Sequence, residues 1–138
     1  MLPVLAGLAF VALIIVALWL HGRSNVQLAT QYMAGREPFS AADFGRRFFP
    51  PAQAEVAARL RDLLAEETVV ELERIRPEDR PVQDLKIDEL DSLALVEFVM
   101  AVEKEYGITL PDAEMARIRT FGEVVDLVCR QRDAARTA

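Results

Sequence analysis

The first twenty residues, MLPVLAGLAFVALIIVALWL, hold no charged side chain, and every Lys, Arg, Asp and Glu of the 138-residue chain lies after them. As an α-helix rising about 1.5 Å per residue, this run is roughly 30 Å long, the thickness of a bilayer's hydrocarbon core. Trp19 stands at its far end, where an indole favours the interface, and His21 and Arg23 mark the return to water. A cleaved signal peptide, releasing a secreted helical domain, is the competing reading. It fits less well: no basic segment precedes the run, the run exceeds the usual length of about 7–15 residues, and no small-residue cleavage pattern follows promptly. The expectation is a single-pass membrane anchor over residues 1–22. Arg23, Arg36, Arg46 and Arg47 follow the anchor and only the α-amino group precedes it, so the rest of the chain is expected to face the cytoplasm.

Charge is as uneven as hydropathy. Four arginines against Glu37 and Asp43 leave residues 21–50 at +2, so with a total of −6 the remaining 88 residues carry −8. An acidic domain repels phosphate backbones, which excludes nucleic acid as a partner and favours basic protein surfaces. The one cysteine, Cys129, cannot form an internal disulfide.

Residues 23–50 read as a juxtamembrane tether with local structure. Ser40 followed by Asp43 predicts a short capped helix over about 41–48. Phe39, Phe44, Phe48 and Phe49 are numerous for a linker; they pack on the following domain or sit in the membrane interface, and the sequence leaves both open. Pro50 and Pro51 then break the chain. The domain expected over 51–138 is all-α. Val56, Leu60, Leu63, Leu64 and Val69 recur at helical spacing, with Arg59, Arg61, Asp62, Glu66 and Glu67 on other faces, predicting a helix over about 52–68. A long connection rich in Pro and acids spans 75–91. A second helix runs from about Ser92 to Tyr106 and stops at Gly107. A short helical piece over about 112–118 precedes a last helix over about 121–132, opened by the capping box Thr120-Phe-Gly-Glu123 and carrying Phe121, Val124, Val125, Leu127 and Val128 inward.

The second helix carries two stripes. Leu95, Phe98, Val99, Val102 and Tyr106 form a core seam. Leu93, Val96, Glu97, Met100 and Glu103 mix apolar and acidic side chains, which suits a transient protein–protein surface. Asp91 is a natural N-cap at the helix start. Catalysis by this chain is not expected. Ser92 has no base to activate it, the only histidine being His21 at the membrane edge; Asp84, Asp88 and Asp91 lack a calcium-loop pattern; no glycine-rich phosphate loop is present.

The stretch DELDSLALVEFVMAVEKEYGITLPDAEMARIRTFGEVVDLV resembles the second to fourth helices of the acyl carrier protein family. The triplet Asp91-Ser92-Leu93 is similar to that family's phosphopantetheine attachment motif. It is followed by an amphipathic acidic helix, the turn from Tyr106 to Asp112, and a cap at Thr120. The resemblance covers about residues 52–132. It implies a four-helix carrier bundle with a long loop between its first two helices, here behind a transmembrane helix. It implies that a phosphopantetheinyl transferase joins 4'-phosphopantetheine from coenzyme A to the Ser92 hydroxyl, with Asp91 and Leu93 as part of what the transferase recognises. The arm's thiol would then hold an acyl group as a thioester.

By the same resemblance, Leu93, Val96, Glu97, Met100 and Glu103 would meet partner enzymes. Those would be an acyl-loading ligase or synthase and, given the lipid bilayer, a membrane-bound acyltransferase or synthase. Envelope lipid, lipid-anchored metabolite or surface-polymer synthesis would then be served. A D-alanyl or aminoacyl carrier, and an unmodified membrane adaptor presenting its acidic helix, are the alternatives. The sequence departs from the family's pattern at Glu89, where Gly is usual, and DLKIDELDSL holds a short insertion against the usual DLG-x-DSL. Lys104 interrupts the acidic run.

Overall fold

The computed structural model describes residues 2–87 and 93–137. The described residues form six helices: α1 (Leu2–Tyr32), α2 (Ala41–Phe48), α3 (Pro51–Glu66), α4 (Ala94–Tyr106), α5 (Asp112–Met115) and α6 (Phe121–Thr137). The fold is all-α, with one long apolar helix at its N-terminus.

From Val4 to Leu20 the large apolar side chains of α1 are exposed; Leu5, Phe10, Leu13 and Leu18 each show more than 60% of their surface. Its charge-bearing end is different. The helix does not stop where the apolar run stops but continues to Tyr32, and Asn25, Ala29 and Met33 are buried. Spaced four apart, these residues stack on one face and pack that face on the bundle.

The segment between α1 and α3 folds onto the bundle. Ser40 caps α2, its hydroxyl accepting from the Asp43 amide at 3.2 Å, as the sequence predicts. Phe44 is fully buried, with its ring centroid 5.5 Å from that of Phe49, 5.6 Å from Phe48 and 5.7 Å from Phe121 on α6. Phe39 meets Phe48 edge-on at 5.6 Å. The four phenylalanines therefore belong to the protein core and its margin, which decides the question the sequence left open. Gly45 makes this possible: a Cβ there would lie 2.2 Å from the Ala54 carbonyl oxygen, so α2 and α3 touch backbone to backbone.

Val56, Leu60, Leu63 and Leu64 of α3 are buried as their spacing requires, but two expectations for this helix fail. Val69 is 73% exposed: α3 ends at Glu66, the helical period lapses, and Val70 turns inward instead. Arg61, placed by periodicity on an outer face, is buried. Its guanidinium lies 5.4 Å from the Phe44 ring centroid, and burial lowers its pKa. The ring face compensates part of the lost hydration of that cation.

The long connection is ordered by its own side chains in the described part. Val70, Leu72, Ile75, Leu85 and Ile87 are buried. Backbone bonds stitch it to its neighbours: Phe39 N–H donates to the Glu73 carbonyl (2.8 Å), Phe121 N–H to that of Asp79 (2.9 Å) and Gly122 N–H to that of Pro77 (2.8 Å). Arg80 bonds Asp84 with both its guanidinium and its amide, which holds the Asp84 carboxyl below the usual carboxylate range. Lys86 has φ +57°, a left-handed conformation costing an L-residue roughly 1–2 kcal/mol.

Asp79 is wholly buried and joins three segments. Its carboxylate accepts from the Tyr32 hydroxyl (3.0 Å), from Arg36 Nη1 (2.6 Å) and from the Arg76 amide (2.8 Å). The end of α1 is thereby tied to the loop that precedes α4.

α6 begins at Phe121 behind the Thr120 cap, whose Oγ1 accepts from the Glu123 amide at 3.2 Å. The Glu123 carboxylate reaches Arg119 N–H (2.8 Å) rather than that of Thr120, a capping box shifted by one residue. Its five expected core residues are all buried.

Candidate functional site

The chain stops α4 at Gly107, whose φ of +62° is the left-handed conformation expected there. Towards its other end one face is exposed. Leu93, next in the chain after Ser92, is 59% exposed, and Val96 and Met100 show 54% and 63% of their surface. Glu97 is exposed beside them. An apolar row is thus presented to solvent with an acid at its side, the pattern expected of a transient docking surface. Glu103, assigned by sequence to the same row, is only half-exposed. Its carboxylate accepts from Leu110 N–H at 2.8 Å and so holds the turn after α4. Ser92, Asp91 and Glu89 lie outside the described residues, so the attachment residue, the expected N-cap and the departure from the family pattern keep their standing as sequence readings.

The inward face of α4 buries Ala94, Phe98 and Val102, with Leu95, Val99 and Tyr106 half-buried against them. The bidentate pair Arg59–Glu105 fixes α4 to α3 and holds the Glu105 carboxyl below its ordinary pKa. Beside this seam lies a cavity of about 150 Å³, lined by Leu95, Phe98, Val99, Met115, Ile118 and Phe121 among others. The pocket is mostly apolar and opens to the surface beside Val82 and Arg119. It was not found by sequence reasoning; Met115 at the end of α5 and Ile118 three residues on were the signal for it.

One face of α4 is thus exposed, and a mostly apolar pocket lies beside the same helix. A sequence model of the phosphopantetheine attachment site matches residues 58–128, just over half of the chain. The acyl carrier protein of Thermosynechococcus vestitus is 34% identical over 76 residues, a match that takes in 55% of this chain and 90% of that one.

The chain belongs to the acyl carrier protein family.

The meromycolate extension acyl carrier proteins of Mycobacterium bovis and Mycolicibacterium smegmatis are each 40% identical, over 76 and 73 residues, and this carrier spans 64% and 71% of their lengths. Family membership makes the chain a carrier rather than an enzyme, and makes covalently attached 4'-phosphopantetheine its prosthetic group. When bound, that group supplies a thiol able to hold an acyl thioester. The carrier's own Cys129 is no substitute: it is buried, and burial raises its pKa, so little thiolate forms at neutral pH. An aromatic disulfide reagent should therefore modify the native apo-carrier slowly, and the modified carrier should show one additional, fast-reacting thiol. Denaturant should expose Cys129 in both.

Proposed function

We propose that this carrier bears its phosphopantetheine arm on Ser92 and works from the membrane, with α1 as a single-pass anchor over about 1–22 and the carrier domain over about 51–138 on the cytoplasmic side. The observation that carries the membrane part is α1 itself. From Val4 to Leu20 it presents a continuous apolar surface that none of the described residues covers, far more than a water-soluble helix leaves exposed. The Asp-Ser-Leu sequence before α4, together with the open row of Leu93, Val96, Glu97 and Met100, supports Ser92 as the attachment point.

The transfer is a phosphodiester formation. The Ser92 oxygen bonds to the phosphate of phosphopantetheine, the pyrophosphate bond of coenzyme A breaks, and the nucleotide bisphosphate leaves. The transferase takes the hydroxyl proton, so the carrier needs no base. Acidic Glu97 beside the apolar row favours partner enzymes with basic surfaces. Confinement to the bilayer raises the concentration at which the carrier meets membrane-bound acyltransferases or synthases. Lipid-type acyl cargo is preferred over an aminoacyl cargo, because relatives at 40% identity are named for meromycolate extension.

Deleting residues 2–20 tests the tether. The shortened carrier should still accept the arm, but should leave the membrane fraction and fail to support the pathway in its host. Full complementation by the shortened form would overturn the membrane role.

A further inference from the structure

We infer that the carrier domain does not swing on a leash but is seated on the lipid surface, with the tip of the α3–α4 connection at Val69 resting in the headgroup layer beside Trp19. The inference rests on the membrane anchoring proposed above.

Three observations meet here. First, α1 passes from its apolar run to its last turn without a break, so one continuous helix joins bilayer and domain with no loop between them. Arg23 stacks over the Trp19 ring at 4.6 Å to the centroid, which marks the interface on this helix. Second, the domain grips α1 close to that level. Asn25, the first buried residue of the grip, lies six residues beyond Trp19, about 9 Å along the axis, whereas a headgroup layer is roughly 5–7 Å thick. Asp79, holding Tyr32 and Arg36, clamps the other end of the grip.

Third, Val69 reaches back toward the bilayer. It lines one groove with Leu18, Trp19, Gly22, Arg23, Val26 and Gln27 of α1, so it stands beside the stretch where that helix leaves its apolar run. Val69 is 73% exposed while its neighbour Val70 is buried in the core. A β-branched apolar side chain aimed out of the protein at this height has lipid as its natural surroundings. One end of the groove is the membrane span itself, at Leu18 and Trp19, so lipid around the span reaches that end. Glu66, Glu67 and Glu71 flank the tip, and Arg23 is the basic group of the groove. Headgroups that offer both an ammonium and a phosphate match this arrangement.

The test uses the full-length apo-carrier in vesicles of phosphatidylethanolamine and phosphatidylcholine, carrying a nitroxide at Val69→Cys or, separately, at Met100→Cys. Both positions are exposed, and buried Cys129 stays unlabelled in the native protein. Vesicle flotation is read on the same samples. The expected result is that the label at 69 loses collisions with a water-soluble nickel chelate and gains them with oxygen, while the label at 100 does the reverse. A protein that floats with its vesicles yet shows the label at 69 as open to nickel as the label at 100 overturns the seating and leaves the anchor standing. A protein that does not float overturns both.

Discussion

Ser92→Ala should abolish the mass gain seen when the carrier is incubated with coenzyme A and a phosphopantetheinyl transferase, while wild type gains one phosphopantetheine. The effect is all or none, because alanine offers no oxygen for the phosphodiester. The chain has two other serines, Ser24 and Ser40, and they serve as internal controls. Ser24 lies on α1, and the Ser40 hydroxyl caps α2. Ser24→Ala and Ser40→Ala should both gain the full mass, with Ser40→Ala losing about 1 kcal/mol of stability from the missing cap. Intact-protein mass spectrometry reads all three variants. A gain that persists in Ser92→Ala would move the arm to another residue.

Asp79→Ala should be the most damaging single change away from the attachment site, at about 3 kcal/mol. Removing the carboxylate strands the Arg36 guanidinium, the Tyr32 hydroxyl and the Arg76 amide, all of which it now satisfies. Breaking a buried pair by deleting one partner costs about 3–5 kcal/mol. The lower end applies because the Arg36 side chain keeps 23% of its exposure and can recover some hydration. Asp79→Asn, which keeps acceptor and shape but not charge, should lose less. Urea unfolding of the chain lacking residues 2–20 measures both. Equal stability of Asp79→Ala and wild type would show that the junction between α1 and the loop contributes nothing.

What the sequence showed of this fold follows from periodicity and punctuation. The core rows of α4 and α6 stand where their spacing puts them, the Ser40 and Thr120 caps start their helices, and Gly107 ends α4 in the left-handed conformation. Three features were not legible. Val69 carried on the period of α3 for a turn after the helix had ended, and nothing in the local sequence distinguishes a continuing stripe from an outward-facing tip. Arg61 is buried because α2 lays Phe44 over it, a contact between residues seventeen apart. Asp79, in a loop crowded with acids, is singled out only by the arrival of Tyr32 and Arg36 from another element.

The candidate site divides the same way. The row at Leu93, Val96, Glu97 and Met100 could be read from helical spacing, and the structure exposes these four side chains. Glu103 was grouped with that row by spacing alone, whereas its carboxylate closes the turn at Leu110. The pocket beside α4 draws its lining from four helices and the long connection, so no single stretch of sequence announces it. Lys86 adds one further point. The sequence placed the departure from the family's glycine at Glu89 and noted an insertion nearby. Among the described residues, the left-handed backbone of this loop occurs at Lys86, directly after Asp84 and Leu85.

The most direct measurement is to recover this protein from the membrane fraction of its native cells while its pathway is running, and to weigh the peptide that contains Ser92. A membrane-held carrier predicts a phosphopantetheine on that peptide, with acyl groups that hydroxylamine releases. Membrane-bound protein in which that peptide is bare throughout would contradict the account.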